Sequence, residues 1–281
     1  MTLNVVEFTV VVAAMSVAAG FLGSLTGLGG GVIITPLLTL LFGVDIRYAI
    51  GATLVSVIAT SSGAAAAYVR EGFTNIRIGM FLEVATTLGA VGGATLATRV
   101  PASVLAVLFG VVLLYSAYLS IRTRHDQDGP ADKPDRIAQI LKLDGCYPTP
   151  GGLRPYHVRK PVTGFGFMLG AGALSGLLGI GSGAVKVIAM DQAMRVPFKV
   201  STTTSNFMIG VTAAASAGVY LRRGYIDPGL AMPVMLGVSL GAMLGARKLL
   251  QARTRVLRVV FAAVIVVLAI QMVYGGFSGR F

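Results

Sequence analysis

Two ionisable side chains lie inside apolar segments of this chain, away from the segments' outermost residues. Glu83 lies midway through 76–98, and Lys186 lies early in 183–194. A charge at membrane depth is costly, so it marks an ion path, a proton relay or a substrate contact. Lys186 could neutralise an anion or pair with an acid; its structural alternative is snorkelling to the interface. Glu83 could carry a coupling proton, with a purely structural hydrogen bond as its alternative. Asp191 stands near a segment end and reads as interfacial.

Around these charges lie groups that could hold an oxyanion without charge. Gly27-Leu28-Gly29-Gly30-Gly31 interrupts one apolar stretch, and Gly179-Ile180-Gly181-Ser182-Gly183 interrupts another. A glycine break frees backbone N–H groups, and a helix N-terminus there adds a partial positive charge. Close packing of small residues is the alternative reading. A polar tract, Thr202-Thr203-Thr204-Ser205-Asn206, follows the second break. Its hydroxyls and amide can donate hydrogen bonds to sulfonate-type oxygens. Thr53 and Ser56 occupy the corresponding stretch of the first half. The candidate substrate-binding set is therefore Gly29, Gly30, Gly31, Gly181, Ser182, Gly183, Lys186, Thr203, Thr204, Ser205, Asn206, Thr53 and Ser56. Glu83 is the coupling candidate. Helix capping and interhelical hydrogen bonding are the plainer reading of the tract.

The elements that must position these groups come in two copies. Sliding the chain by 152 residues aligns roughly 20–115 with 172–267 without a gap. Gly20/Gly172, Tyr68/Tyr220, Gly72/Gly224, Gly89/Gly241, Gly93/Gly245 and Phe109/Phe261 coincide. The 281 residues are 55% hydrophobic and only 12% charged, about half the usual charged share of a soluble domain. Apolar segments fall at 5–24, 31–43, 47–69, 76–98 and 101–121, then at 161–180, 183–194, 200–221, 228–250 and 256–274. A full crossing takes about 20 apolar residues, so 31–43 and 183–194 are short. Each directly follows a glycine motif, as a broken helix or a re-entrant hairpin does.

A kink at each break gives four crossings per half and halves that point the same way. A turn gives five segments per half and inverted halves. The connector between the halves carries eight Lys/Arg over 122–160, which assigns it to the cytoplasm by the positive-inside rule. With five segments, Arg247, Lys248, Arg253, Arg255 and Arg258 fall on the same side; with four they do not. Arg222 and Arg223 count against the inverted scheme, which is nonetheless preferred. The expected fold is an all-α integral membrane protein with two inverted repeats of about five helical segments each, 8–10 membrane segments in total. Its expected divisions are a first membrane repeat at 1–123, a polar cytoplasmic connector at 124–160 and a second membrane repeat at 161–281. Within the connector a short helix is expected around Asp135–Leu143, from the spacing of Ile137, Ile140 and Leu141. The rest reads as a solvated linker.

Several classes are disfavoured. Both histidines, His125 and His157, lie in the connector, so no intramembrane Ser–His dyad forms around Ser182 and no histidine metal site lies in the spans. No Walker A motif occurs. Cys146 is the single cysteine. No enzyme activity, cofactor or metal is expected. The net charge of +12 follows from basic membrane loops rather than from nucleic-acid binding. Met1–Phe8 lacks Lys and Arg, unlike a cleavable signal peptide. Gly89-xxx-Gly93 and Gly237-xxx-Gly241-xxx-Gly245 read as helix-packing faces.

At Gly23-Ser24-Leu25-Thr26-Gly27-Leu28-Gly29-Gly30-Gly31 with Pro36, and at Leu174-Ser175-Gly176-Leu177-Leu178-Gly179-Ile180-Gly181-Ser182-Gly183, the chain resembles the sulfite exporter TauE/SafE family of anion permeases. Thr202–Asn206 and the pairs Tyr68–Gly72 and Tyr220–Gly224 also fit. The resemblance covers nearly everything outside 124–160. It implies a secondary transporter of sulfur oxyanions or organosulfonates, such as sulfite or sulfoacetate, in a bacterial-type inner membrane. It also implies a small anionic substrate and a lipid bilayer as partners. A homo-oligomer and coupling to H+ or Na+ are both compatible with it. One departure is local: the family's second motif commonly has Pro a few residues on, whereas Lys186 and Ile188 stand here. A permease for another small anion and an assembly subunit of a membrane complex are the alternative functions.

Overall fold

The computed structural model describes residues 4–26, 31–70, 72–121, 135–149, 152–181, 183–249 and 254–279. Among them the first half folds as α1 (Val5–Thr26), α2 (Gly31–Phe42), α3 (Ile46–Arg70), α4 (Ile76–Ala97) and α5 (Ala102–Ile121). The connector supplies α6 (Arg136–Ile140), β1 (Gly145–Thr149) and β2 (Gly152–Tyr156). The second half folds as α7 (Pro161–Leu178), α8 (Gly183–Ile188) with a π-helical turn at Ala189–Ala193, α9 (Phe198–Arg222), α10 (Pro228–Leu249) and α11 (Thr254–Phe277). Every membrane helix starts within two residues of its apolar segment, because the segments end at turn formers and charges.

Among the described residues, α1, α4, α7 and α10 are long and apolar enough to cross a membrane. Shorter apolar stretches lie in α2, α3, α5 and α11. The distribution of polarity is that of a protein whose solvent is lipid. Met80, Val84 and Leu88 on α4 are exposed, as are their counterparts 152 residues on, Met232, Leu236 and Leu240 of α10. Thr35, Thr53, Ser56, Thr86, Thr204, Thr212 and Ser216 are buried. Polar side chains inside and aliphatic ones outside satisfy hydrogen bonds where no water is present. The chain is an integral membrane protein built mainly of helices.

The largest helix contacts cross between the halves: α1 packs on α10, and α4 on α7. Glycines set both seams. A Cβ on Gly20 would collide with the backbone of Val238, and one on Gly172 with the backbone of Thr86. A Cβ on Gly241 would strike the carbonyl of Val17, and one on Gly89 that of Leu169. Each second contact is the first moved along by 152 residues with the halves exchanged. Of the glycines expected to be packing faces, Gly89, Gly93, Gly237 and Gly241 therefore sit at close helix crossings, where only a hydrogen fits.

The connector departs from the solvated linker expected of it and adds a strand pair to an otherwise helical chain. Asp135 caps α6 by accepting from the Ile137 N–H at 2.9 Å. β1 and β2 pair antiparallel, with Gly145 opposite Tyr156 and Thr149 opposite Gly152. Ala138, Leu143, Tyr156 and Val158 are buried in one cluster with Ile78, Leu82, Met190, Met194 and Val200. The connector thus docks on the membrane bundle at the starts of α4 and α9. Residues 122–134 lie outside the described residues.

Candidate functional site

The second break is built by two left-handed residues. Gly179 caps α7 with φ 69°, and Gly181 follows at φ 70°, a conformation glycine adopts without strain. The Gly179 N–H closes onto the Ser175 carbonyl at 2.7 Å. Two more of the last α7 carbonyls, those of Gly176 and Leu177, accept from the buried Tyr220 hydroxyl at 3.3 Å each. The break survives at depth because α9 satisfies the backbone that it frees. Burial keeps α9 polar atoms within reach: Ser205 Oγ donates to the Gly183 carbonyl at 3.2 Å and ties α9 to the first residue of α8.

Gly31, where α2 begins, and Gly181 of the second break lie one side chain apart. A Cβ on Gly31 would come within 2.7 Å of Val57 Cγ2, and one on Gly181 within 3.6 Å of Val57 Cγ1. Val57 of α3 is therefore the wall between them. Matched contacts recur on each side: Gly31 abuts Thr53 and Val57, and Gly183 abuts Ser205 and Ile209, the same positions 152 residues on. Gly29, Gly30 and Ser182 lie outside the described residues.

Lys186 does not snorkel. Its side chain is 0% exposed, and Nζ donates to Thr212 Oγ1 at 2.6 Å. Thr212 in turn donates to Glu83 Oε1 at 2.8 Å. Thr87 also donates to that oxygen, at 3.2 Å. Thr86 lies 3.5 Å from Thr212 Oγ1. The ammonium of α8 and the carboxylate of α4 are thus joined through one hydroxyl of α9. Glu83 is 8% exposed, and its Oε2 has no hydrogen-bond partner among the described residues. Opposite charges compensate one another here, where either alone would cost several kcal/mol, on the order of 3–5.

The polar tract divides. Thr53 shares a 2.8 Å hydrogen bond with Thr35. Ser56 donates to the Thr53 carbonyl at 2.8 Å, and Thr203 to the Lys199 carbonyl at 3.0 Å. Ser56 and Thr203 are thus engaged within their own helices, and Thr53 across to α2. Thr204 Oγ1 accepts the Asn75 backbone N–H at 3.1 Å. The Asn75 side chain accepts from the Ile78 N–H at 3.1 Å. It donates to the Leu143 carbonyl at 2.9 Å and to the Tyr156 hydroxyl at 2.7 Å. Burial pushes the Tyr156 phenol up to about 12, so it is neutral at every physiological pH. Asn206 is half-buried, and its side chain makes no hydrogen bond among the described residues.

Sequence reasoning missed Thr212, Thr86, Thr87 and Asn75. Thr86 and Thr87 stand three and four residues past Glu83, the spacing that places them on its helix face. Ser201, Ser205, Met208, Thr212 and Ser216 form one buried stripe of α9 at three- and four-residue steps, a signal that was legible beyond the Thr202–Asn206 run. No group of His, Cys, Asp and Glu among the described residues could hold a metal ion.

Residues 12–272 match the family model described as sulfite exporter TauE/SafE. The chain is 26% identical over 275 residues to the probable membrane transporter protein YunE of Bacillus subtilis, covering 95% of this chain and 98% of that protein. It is 28% identical over 234 residues to the probable membrane transporter protein YdhB of the same organism, covering 83% and 85%. A probable membrane transporter protein of Xylella fastidiosa is 26% identical over 260 residues, covering 91% of each. No solved structure matches the chain. With almost its whole length inside the family model, the chain belongs to the sulfite exporter TauE/SafE family and is a membrane transporter protein rather than an enzyme.

Proposed function

We propose that the protein exports a sulfur-containing oxyanion such as sulfite, or an organosulfonate such as sulfoacetate, across a bacterial-type inner membrane. It does so as a secondary transporter, by alternating access around one anion site at the bilayer midplane. The observation that carries this reading is Lys186, a fully buried cation three residues past the second glycine break. A membrane interior holds such a charge where an anion or an acid meets it. Gly29–Gly31, Gly181–Gly183, Thr53, Ser56, Thr203, Thr204, Ser205 and Asn206 surround the site in this reading, with Asn206 the amide free to donate. Thr53, Ser56 and Thr203 then form its walls rather than its donors.

Residues 1–123 and 161–281 are the two repeats, inverted relative to one another, and 124–160 is a cytoplasmic connector. Helix direction supports the inversion. Gly110 of α5 abuts Ala269 and Val273 of α11, while Gly276 abuts Ser103 and Val107. These two helices are 152-residue counterparts, and they run antiparallel. A two-fold axis across the helices relates such a pair, as in inverted-repeat carriers that rock about a midplane site. The inside-negative potential expels an anion at about 2.3 kcal/mol per charge per 100 mV, so export requires no further coupling. Glu83 is the group through which H+ or Na+ could couple.

Thermal stabilisation of the purified protein tests the substrate class. Sulfite, sulfate, thiosulfate, sulfoacetate, taurine, acetate and chloride are compared at equal concentration. A ligand at about 100 times its dissociation constant stabilises by about 2.7 kcal/mol. A selective shift with a sulfur oxyanion, lost in Asn206→Ala, is expected. An equal response to acetate and chloride would remove the substrate assignment.

A further inference from the structure

We propose that Lys186, Thr212 and Glu83 form a latch that couples each anion to one proton. The anion takes Lys186 from Glu83, and Glu83 gains a proton in exchange, so both cross together. This rests on the anion-transport reading above and extends it to what travels with the anion.

The geometry supplies the exchange. At rest the ammonium, the hydroxyl and the carboxylate form one hydrogen-bonded chain, with Lys186 donating to Thr212 and Thr212 to Glu83. The unit carries no net charge. Lys186 is the charge that acts on Glu83, and Glu83 is the charge that acts on Lys186. Other charged groups on the packed elements sit towards their ends. Arg77 is at the start of α4, Lys199 and Arg222 are at the two ends of α9, and Asp191 is in the π-helical turn; α7 contributes none. An anion oxygen that accepts from Nζ therefore leaves the carboxylate buried beside a second negative charge. A buried carboxylate without its cation is the costly state, and protonation removes it. Oε1 already accepts from Thr212 and Thr87, whereas Oε2 has no partner among the described residues. The proton adds to Oε2, giving a carboxylic acid; Lys186 remains an ammonium throughout. No bond to sulfur is made or broken.

The latch exists once. The counterparts of Lys186, Thr212 and Glu83 at the 152-residue offset are Ile34, Thr60 and Met235. One proton per cycle follows rather than two. Sulfoacetate, a dianion at neutral pH, then leaves with one net negative charge, which the inside-negative potential still drives outward.

The test uses the full chain in proteoliposomes loaded with sulfoacetate and an entrapped pH dye. Efflux should alkalinise the lumen by one proton for each sulfoacetate released. Glu83→Gln, which mimics the protonated acid, should release sulfoacetate with no lumen pH change and with a rate indifferent to pH. Lys186→Met should lose both fluxes. Thr212→Ser should keep the coupling that Thr212→Val loses. Sulfoacetate itself should stabilise Glu83→Gln in detergent, which separates an uncoupled variant from an unfolded one. Wild-type efflux without lumen alkalinisation, efflux that tracks sodium instead, or full coupling in Glu83→Gln would each overturn the latch and leave anion transport standing. Absence of both efflux and thermal stabilisation with every sulfur oxyanion would overturn the transport reading, and the latch with it.

Discussion

Replacing Lys186 by Met isolates the worth of the buried charge pair. Met keeps the length of the side chain and removes the ammonium. Glu83, 8% exposed, is then left with hydroxyl donors only. Breaking a buried pair by removing one partner costs about 3–5 kcal/mol. At about 2–4 °C per kcal/mol for a chain of this size class, the melting temperature should fall by about 10 °C. Adding Glu83→Gln removes the stranded charge. Thr212 can still donate to the Gln carbonyl oxygen, so the double variant should recover most of the loss. The assay is a double-variant cycle read by thermal denaturation in detergent, each protein followed by size-exclusion recovery after heating. A coupling energy of about 0.5–3 kcal/mol is expected for groups in one hydrogen-bond network. Losses in the double variant equal to the sum of the two singles would refute the relay. They would mean that Lys186 and Glu83 stabilise the fold independently.

The helix seams and the connector make further claims. Gly89→Ala drives a methyl group into the Leu169 carbonyl and should cost about 1–3 kcal/mol by overpacking. Gly92→Ala, three residues on in α4, has nothing within 4 Å of the new carbon and should be neutral or stabilising by up to about 1 kcal/mol; thermal denaturation of the pair checks the contrast. Asn75→Ala removes the α4 cap and strands the Tyr156 hydroxyl and the Leu143 carbonyl. A loss of about 1–3 kcal/mol is expected, with faster hydrogen exchange in 145–149 and 152–156 as its local signature.

How much of this was legible depends on the range of the interaction. Apolar length and glycine breaks are local, and they placed the membrane helices to within a few residues. The 152-residue repeat was legible because its glycines sit at backbone crossings, where no other residue fits. The buried charges were legible one by one, but their meeting was not. Glu83 and Thr212 lie 129 residues apart, and only the rotation of α4 against α9 decides which faces touch. The β-hairpin escaped for a different reason. Pro148 and Pro155 occupy its strands, and proline argues against a strand in any sequence reading. Both sit on a two-stranded ribbon, where each strand has an open edge that tolerates a missing donor. The docking of Tyr156 depends on Asn75, which in the sequence is an ordinary helix cap.

The pairing of α1 with α10 and of α4 with α7 has a consequence for how the chain holds itself together. Each half lends an arm to the other. Severed in the connector, the residues before 122 would keep α1 and α4 yet lose the partner of both. Neither fragment would own a finished seam. Cohesion between the halves thus resides in helix seams that cross from one half to the other, those of α1 with α10 and of α4 with α7 being the largest. Between α5 and α7 the chain adds a smaller contact of its own, through Ala138, Leu143, Tyr156 and Val158. In mechanical terms the protein is a clasped pair of hands.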